Sequence, residues 1–249
     1  MPEDDSRLLE VLSVLTSQLV TDTATDNDVV QALGRVCDAG VSLLDATAAG
    51  IMLVDPRGGI AVAAASDERA RVVELLQTQL LQGPCVDSIV AAEVIEESNL
   101  QDAKGRWPEF TAAASEAGYR SVLAIPLLFD GRAVGGINLL YSSERTFSDH
   151  NRQLGTILGR LVVLHLVRED DSRRSDRLTE RILGLLQDRV QIEHAIGLIV
   201  GTLSIPVGDS WELLDSAARE RGLSLSEMAR ALTVGTAKPV DLTTDTSHL

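Results

Sequence analysis

Cysteine is scarce in this sequence, and long apolar runs are missing from it. Cys37 and Cys85 are the only cysteines among 249 residues, and they lack CxxC spacing, which excludes a disulfide scaffold. No segment approaches the ~20 consecutive apolar residues that a membrane-spanning helix requires. The acidic start, MPEDDSRLLE, predicts that no signal peptide is present. We therefore expect a reduced, cytoplasmic protein that does not engage a membrane.

Aromatic residues and basic charge are also in short supply. Aromatics make up 3% of the chain, which is too little for a platform on which nucleic-acid bases stack. The net charge of −15 excludes a broadly basic nucleic-acid surface. The excess of acidic over basic groups is distributed unevenly along the chain. Residues 1–171 hold 13 basic and 26 acidic groups, whereas residues 172–235 hold 8 arginines and 9 acidic groups. A polyanion would therefore have to approach the second part, on a face that carries arginine.

Motifs that mark catalytic centres are missing as well. The sequence contains no G-x-S-x-G, P-loop or Rossmann glycine pattern. Its histidines are scattered, with none at metal-ligand spacing, and His165 lies in an apolar helical stretch that favours packing over ligation. Adjacent acidic pairs diverge and do not form a general acid–base pair. We therefore expect no enzyme activity, no metal and no cofactor.

Hydrophobic periodicity divides the chain into helices and strands. Apolar residues recur at helical spacing in the main predicted helices, which are 5–20, 27–45, 67–81, 149–168 and 176–203. Short apolar runs flank turn residues twice, within 50–65 and within 121–142, and predict two hairpins. This order indicates an α+β fold in which helices pack on an antiparallel sheet, followed by an all-α domain of three helices.

Local signals predict where several elements begin and end. Ser148 precedes a long helix, and Asp209 and Ser224 each stand three residues before a glutamate, the spacing of a capping box. The charged run 168–177 predicts either a solvated helical connection or a flexible hinge, and we place the domain boundary within it. The polar tail, 236–249, is predicted to be disordered.

Four blocks in the first part of the chain share a specific order and spacing. They are GPCVDSI at 83–89, RWPEF at 106–110, RSVLAIPL at 120–127 and GRAVGGINLLYSS at 131–143. This arrangement resembles a GAF domain of the actinobacterial type, over about 25–168. The resemblance implies a pocket for a small molecule, enclosed by a sheet and its helices.

The same resemblance implies a homodimer that pairs through terminal helices. The helix of residues 1–24 would offer a dimer contact. The long helices at 149–168 and 176–203 would join it in a parallel coiled coil that transmits the signal between domains.

A second set of motifs lies in residues 176–235. RVQIEHAIGLIV (189–200) contains an I-E-x-A-x-G-L arrangement, and SWELLDSAARERGLSLSEMARALT follows at 210–233. These motifs resemble the ANTAR domain, an RNA-binding antiterminator module, with 169–175 as a charged helical linker from the GAF-like domain. The basic residue that the family has between the Ala and the Gly is replaced here by Ile196, which removes a phosphate or base contact.

Together the two resemblances imply a one-component regulator. A signal sensed by the GAF-like domain would let the ANTAR-like domain hold a two-hairpin element of a nascent RNA, so that the overlapping terminator does not form. The alternative is a signal-binding scaffold that acts through protein partners, which Ile196 and the small net charge of 172–235 favour. A DNA-binding helix-turn-helix at 209–235 is a third interpretation, poorly equipped because its second helix offers a major groove only Arg230 and serines.

Candidate RNA contacts follow from the ANTAR resemblance and from arginine chemistry, since guanidinium groups pair with phosphates and guanine edges. They are Arg189, Ala195, Gly197, Arg219, Arg221 and Ser224. Arg189 and Glu193 also have the spacing of a helical ion pair, and we expect Arg189→Ala to weaken RNA binding with little loss of stability. Ala195 and Gly197 are small either for RNA approach or for helix packing. Ser224 lies at a helix start, where capping is its simpler role.

The candidate ligand contacts in the GAF-like domain are Cys85, Trp107, Met52 and Asn138. Cys85 follows a Gly-Pro turn, where it either lines the pocket or is a buried structural thiol. Trp107 either covers the pocket or anchors its loop. Met52 and Asn138 lie on predicted strands, whose alternate residues face the same side, and the sequence leaves open which side faces inward.

Overall fold

The computed structural model describes residues 29–167 and 174–242. Its elements in chain order are α1 (Val29–Leu44), β1 (Ala48–Val54), β2 (Ile60–Ala65), α2 (Glu68–Leu80), α3 (Pro84–Ala91), β3 (Ile95–Glu97), α4 (Pro108–Glu116), β4 (Ser121–Phe129), β5 (Arg132–Tyr141), α5 (Asp149–Leu166), α6 (Arg174–Leu203), α7 (Val207–Glu220), α8 (Leu225–Val234) and a 3-10 helix, Pro239–Leu242. The α+β order of one sheet followed by helices agrees with the sequence-based expectation. The predicted helix 1–24 and the charged run before residue 174 lie outside the described residues.

The sheet is antiparallel throughout, with strand order β2-β1-β5-β4-β3. β1 with β2 and β4 with β5 form the two predicted hairpins. Asp130 and Gly131 connect the second hairpin with positive φ angles of 48° and 74°. Two such residues make the tight turn whose twist matches that of paired strands, and glycine adopts this backbone conformation at little cost.

Helices cover both faces of the sheet. Alternate side chains of the central strands face α1 and α5, where Leu33, Leu139 and Leu158 belong to the main apolar core. The intervening side chains face α2, α3 and α4, where Trp107 and Leu140 belong to a separate apolar cluster. Because both faces are buried, β1 and β5 read as continuous apolar runs rather than as alternating ones.

The C-terminal helices extend the main apolar core of the sheet domain. α7 and α8 lie against the second half of the long helix α6, and Ile192 and Met228 are fully buried between them. Leu178, Ile182 and Leu185, on the first half of α6, are also buried within the chain. The coiled coil between protomers stays a prediction.

Two predicted features near the C-terminus need correction. Asp209 does not cap a helix, because α7 begins after Pro206 and Asp209 lies within its first turn. Part of the tail predicted to be disordered is ordered, since Pro239–Leu242 forms a short helix and Leu242 is buried against the C-terminal helices. A single apolar side chain in a polar tail is enough to hold this segment.

In the described ranges, no single helix has both the length and the apolar composition needed to span a membrane. In the same ranges, Leu178–Leu203 and Val207–Glu220 reach that length and apolar composition as a pair, with a bend of 111° between them.

The capping box predicted at Ser224 is confirmed, because its Oγ accepts the Glu227 N–H while the Glu227 side chain accepts the Ser224 N–H. We expect Ser224→Ala to lower the free energy of unfolding by about 1 kcal/mol, since the Glu227 amide loses its acceptor. Ser216→Ala, at an exposed position of α7, should change it by less than about 0.5 kcal/mol. Urea unfolding followed by circular dichroism measures both, and equal losses would contradict a stabilising role for the cap.

Candidate functional site

The four candidate ligand residues come together on the sheet face that α2, α3 and α4 cover. Met52 and Cys85 lie with Ile89 in one small apolar cluster, and Trp107 lies in the larger cluster of this face. Asn138 is on the central strand β5. On this face, the residues of β5 before Asn138 contact the small cluster, and the next one after it belongs to the larger cluster. All four candidates are fully buried. The register that the sequence left open thus places Met52 and Asn138 on the same side.

A buried carboxyl that the sequence analysis did not single out joins these residues. Glu74 of α2 is fully buried, and its two oxygens accept hydrogen bonds from Asn138 Nδ2 at 2.8 and 3.0 Å. Gln77, one turn further along α2, donates from Nε2 to Glu74 Oε2 at 3.2 Å. The Gln77 Oε1 atom accepts the Cys85 backbone N–H, also at 3.2 Å. We name Glu74, Gln77 and Asn138 the Glu74 cluster.

Glycines on the two central strands make room for these side chains. Gly50 pairs with Asn138 across β1 and β5, and a Cβ at Gly50 would lie 2.7 Å from Glu74 Cγ. A Cβ at Gly136 would lie 2.7 Å from Cys85 Sγ. Both distances are shorter than carbon side chains tolerate, so glycine at these positions lets α2 and α3 lie directly on the sheet.

Burial controls the protonation of Glu74 and Cys85. Desolvation raises the pKa of Glu74 to about 8, against the opposing hydrogen bond from Asn138. In residues 29–167 and 174–242, no cation forms an ion pair with Glu74 and no group of three His, Cys, Asp or Glu side chains is arranged to hold a metal. Burial, followed by the nearby charge of Glu74, raises the pKa of Cys85. Cys85 is therefore a protonated, buried thiol with little reactivity.

Within residues 29–167 and 174–242, two buried polar atoms on this face of the sheet lack a hydrogen-bond partner. They are the Asn138 Oδ1 atom and the Tyr119 hydroxyl, and both side chains are almost wholly buried. Burial, then Asp67 and Glu74, raise the pKa of Tyr119 to about 12. Unpaired buried polar atoms lower the stability of a folded chain. These two atoms can still form hydrogen bonds that the folded chain itself does not supply.

Polar contacts near the surface join α3 to the start of α4 within residues 82–110, which we name the α3–α4 cover. Trp107 Nε1 donates to Asp87 at 3.0 Å, and Arg106 pairs with the same carboxylate at 2.7 Å. The Gln82 side chain accepts the Glu109 N–H at 3.0 Å. Trp107 therefore anchors its loop to α3, which is the second of the two alternatives for this residue.

The small and polar candidates for RNA contact lie in different environments. Ala195 is fully buried in the C-terminal helices, whereas Gly197 is exposed, with open space where a Cβ would stand. Packing thus explains Ala195 but not Gly197. Ile196 is also buried, and Ser224 is occupied in the cap of α8.

Two of the three candidate arginines lie at the surface. Arg219 has 74% of its side chain exposed and pairs with Asp215 on the same helix. Arg221 follows the end of α7 and contacts Met228 Sδ at 3.4 Å. Both guanidinium groups are close enough to solvent to meet a phosphate.

Arg189 instead lies at the contact between the sheet domain and the C-terminal helices. Its side chain is 11% exposed, its Nη2 atom is 2.6 Å from Glu193 Oε1, and its guanidinium lies 5.2 Å from the centre of the Trp211 ring. Arg71 of α2 reaches the other oxygen of Glu193 at 3.2 Å. We name Arg71, Arg189, Glu193 and Trp211 the docking cluster.

Besides the docking cluster, a hydrogen bond joins the two parts of the chain. Gln31 of α1 donates to Asp215 of α7 at 2.8 Å, and a cavity of about 360 Å³ lies beside these contacts. Arg189 is thus found in the helical ion pair that its spacing allowed. Removing it would leave buried space and disturb a shared carboxylate, so the structure favours a larger loss of stability for Arg189→Ala than the sequence alone indicates.

The sequence of α2 contains a signal that the Glu74 side chain is buried. Glu74 and Gln77 share helical spacing with the buried residues Ala70 and Val73 of α2. A carboxyl on an otherwise buried stripe departs from the usual pattern, and such a departure points to a specific environment. Arg71 and Trp211 carried no comparable signal, because their partners come from distant parts of the chain.

We expect the protein to lose stability as the pH rises from about 4.5 to about 8. Unfolded Glu74 ionises near 4.5, whereas the buried carboxyl keeps its proton up to about 8. The stabilisation that Glu74 contributes to the fold is complete at pH values below 4.5. It falls by up to about 1.4 kcal/mol per pH unit between the two pKa values. Urea unfolding at the two ends of this window measures the loss.

Glu74→Gln removes the titrating group and should make the loss clearly smaller. Glu116→Gln, which removes an exposed carboxyl at the end of α4, should keep the wild-type loss. The same pH dependence in Glu74→Gln and in the wild type would overturn the raised pKa of Glu74.

Comparison with known sequences identifies a family for the first part of the chain. The family model described as GAF domain matches residues 26–167, which is more than half of the chain. No ANTAR model matches the C-terminal helices. Among curated proteins, no sequence gives a significant match.

Solved structures with a similar arrangement come from several bacteria. The GAF domain of an Acinetobacter phosphoenolpyruvate-protein phosphotransferase is 13% identical, with a TM-score of 0.48, over 66% of this chain and 97% of that one. The corresponding domain from Coxiella burnetii is 19% identical, with a TM-score of 0.48, over 64% and 92%. The free methionine-R-sulfoxide reductase of Neisseria meningitidis is 17% identical, with a TM-score of 0.44, over 74% and 90%.

The family match and the sheet describe the same part of the chain. The matched range, 26–167, contains all five strands and the helices that cover both faces of the sheet. It also contains the Glu74 cluster and the Arg71 side of the docking cluster. This chain belongs to the GAF domain family.

Proposed function

We propose that the protein is a transcription antitermination regulator, in which the GAF domain senses a small molecule and the C-terminal helices bind nascent RNA hairpins. A GAF domain supports the sensing role. The ANTAR resemblance of residues 176–235 is the source of the RNA target, which we take to be a two-hairpin element that overlaps a terminator. The single observation that carries the proposal is the docking cluster, because it connects the sensor directly to the helices that would bind RNA.

The charge of the C-terminal helices is compatible with such a target. Arg219 and Arg230 have 74% and 67% of their side chains exposed, and Arg221 is exposed as well. Each has an acidic or backbone partner in the folded chain, which a phosphate would have to replace. Contacts of this kind position an RNA and weaken as salt rises.

The position of Arg189 implies a silent and an active form. In the docked arrangement the Arg189 side chain lines a cavity together with Gln31 and Arg71 of the GAF domain. Arg71 also pairs with Glu193, the partner of Arg189. RNA contact by Arg189 therefore requires the C-terminal helices to separate from the GAF domain. A signal that moves α2 would supply that separation, and the protein would respond by a shift between the two populations.

One observation favours the alternative, a signal-binding scaffold with protein partners. Ile196, which replaces the basic residue of the ANTAR pattern, is 3% exposed and packs inside the helices. Val190 and Leu198 on the same helix are exposed, at 52% and 43%. Apolar side chains at the surface suit a protein partner better than a phosphate backbone.

A titration of the full chain separates these functions. The titrants are a two-hairpin RNA that overlaps a terminator, a scrambled RNA of equal length and a duplex DNA, each at two stated salt concentrations. Selective binding of the two-hairpin RNA is the expected result. Equal weak binding of all three in the wild type, together with equal binding by a variant that opens the docking cluster, would overturn the proposal in favour of the scaffold.

Arg71→Ala is that variant. We expect it to raise the affinity of the full chain for the two-hairpin RNA about five-fold or more, because Glu193 loses its partner on the GAF domain and Arg189 becomes accessible. Arg69→Ala, an exposed position two residues away on the same helix, is the matched control and should leave the affinity unchanged. Fluorescence anisotropy of labelled RNA measures both. An unchanged affinity in Arg71→Ala would contradict occlusion by docking.

A further inference from the structure

The Glu74 cluster lies where two apolar clusters meet beneath the α3–α4 cover. Along β1, Gly50 stands between Ala48, which belongs to the cluster of Trp107, and Met52, which belongs to the cluster of Cys85. Glu74 lies against this glycine. The arrangement is a polar centre with apolar material on both sides, which is the usual composition of a small-molecule site.

Acceptor atoms are in excess at this centre once Glu74 is ionised. Within the described residues, amide N–H groups of Asn138 and Gln77 bond to the two Glu74 oxygens. In the same part of the chain, Asn138 Oδ1 has no partner, and neither has the Tyr119 hydroxyl, which can donate or accept. An arrangement rich in acceptors and containing a carboxyl is complemented by a group that brings several N–H donors and a positive charge.

The walls of the site suggest the rest of such a molecule. Trp107 and Phe110 meet edge to face, with ring centres 6.2 Å apart, and Tyr119 is in the same cluster. Aromatic walls of this kind favour a flat apolar frame, and their faces also attract cations.

We propose that the Glu74 cluster recognises a small, flat organic cation that carries N–H donors, such as an amidinium or guanidinium group on an apolar frame. This inference rests on the proposed sensing function of the GAF domain and names the chemical class of its ligand. The ligand's cationic end pairs with Glu74, its remaining N–H groups meet Asn138 Oδ1 and the Tyr119 hydroxyl, and its frame lies among the aromatic side chains.

Entry of the ligand requires the α3–α4 cover to move. The side chains of Trp107, Cys85 and Ile89 fill the space over the sheet in the folded chain. The Asp87 contacts and the Gln82–Glu109 hydrogen bond join the parts of this cover to one another. They are partly exposed, so they can exchange with water when the cover opens.

Binding of a cation at this site changes the protonation of Glu74. With a pKa of about 8, the carboxyl is mostly protonated at neutral pH, and it must lose its proton to pair with a cation. The titratable groups that face it are Tyr119, Cys85 and Cys37, whose pKa values burial raises. These three stay protonated near neutral pH, so the released proton comes from Glu74.

Isothermal titration calorimetry of the full chain with three matched probes tests the proposal. Benzamidine, benzamide and benzoate share one frame and carry positive, zero and negative charge. We expect benzamidine to bind at least about ten-fold more tightly than the other two, as charge pairing at a buried site requires. Titration in buffers of different ionisation enthalpy should show that benzamidine binding releases a proton near pH 7, because the buried carboxyl has a raised pKa.

Variants connect the result to Glu74. Glu74→Gln should lose at least about ten-fold in benzamidine affinity and release no proton, while Glu116→Gln should behave as the wild type. Circular dichroism establishes that each variant is folded. Benzamide binding as tightly as benzamidine, benzamidine binding unaffected by Glu74→Gln, or no binding of any probe would each overturn the proposal.

The RNA titration of the same preparation keeps this inference apart from the proposed function. Selective RNA binding without benzamidine binding would reject the cationic ligand and leave the regulator in place. Glu74-dependent benzamidine binding without any RNA binding, also in Arg71→Ala, would support the ligand class and reject antitermination.

Discussion

The burial of a carboxyl among neutral partners is the constraint around which this GAF domain is built. Glu74 lies directly on the sheet because Gly50 lacks a side chain, and Asn138 and Gln77 supply amide hydrogens in place of water. A charged carboxyl would be poorly stabilised there, so the proton is retained and the pKa rises to about 8. The adjoining apolar clusters exclude solvent and maintain that condition. Unpaired polar atoms in such a buried environment lower the stability of the folded chain.

Helix α2 relates this site to the rest of the molecule. Glu74 and Arg71 lie one turn apart on it, the first facing the sheet and the second reaching Glu193 of α6. Movement of one turn of α2 therefore alters both the polar centre and the contact that holds the C-terminal helices. Glu193 also holds Arg189, so the displacement has a short physical route to a residue of the ANTAR-like motif. This route needs no motion of the covalent linker between the domains.

Sequence reasoning predicted the parts of the structure that short segments determine. The hairpin turn at Gly131 and the cap at Ser224 each depend on at most four consecutive residues, and both were located correctly. The candidate site was predicted in part, since the side chain of Asn138 was identified and its partner was not. Glu74 is 64 residues away from it, and no local spacing relates the two. Arg189 was predicted to contact RNA, and its position beside the GAF domain was not predicted. The residues of that domain are distant from Arg189 in the sequence.

The partial exposure of the docking cluster has a consequence for the response to ionic strength. Arg71 and Glu193 have 21% and 29% of their side chains exposed, so dissolved ions screen the pair that holds the domains together. Dissolved ions also weaken contacts between arginine and phosphate. In the proposed regulator, salt would therefore release the C-terminal helices from the GAF domain and, at the same time, reduce their attraction for RNA. Because the two effects oppose each other, the intact chain of such a regulator would bind RNA with a shallower salt dependence than its phosphate contacts alone would give.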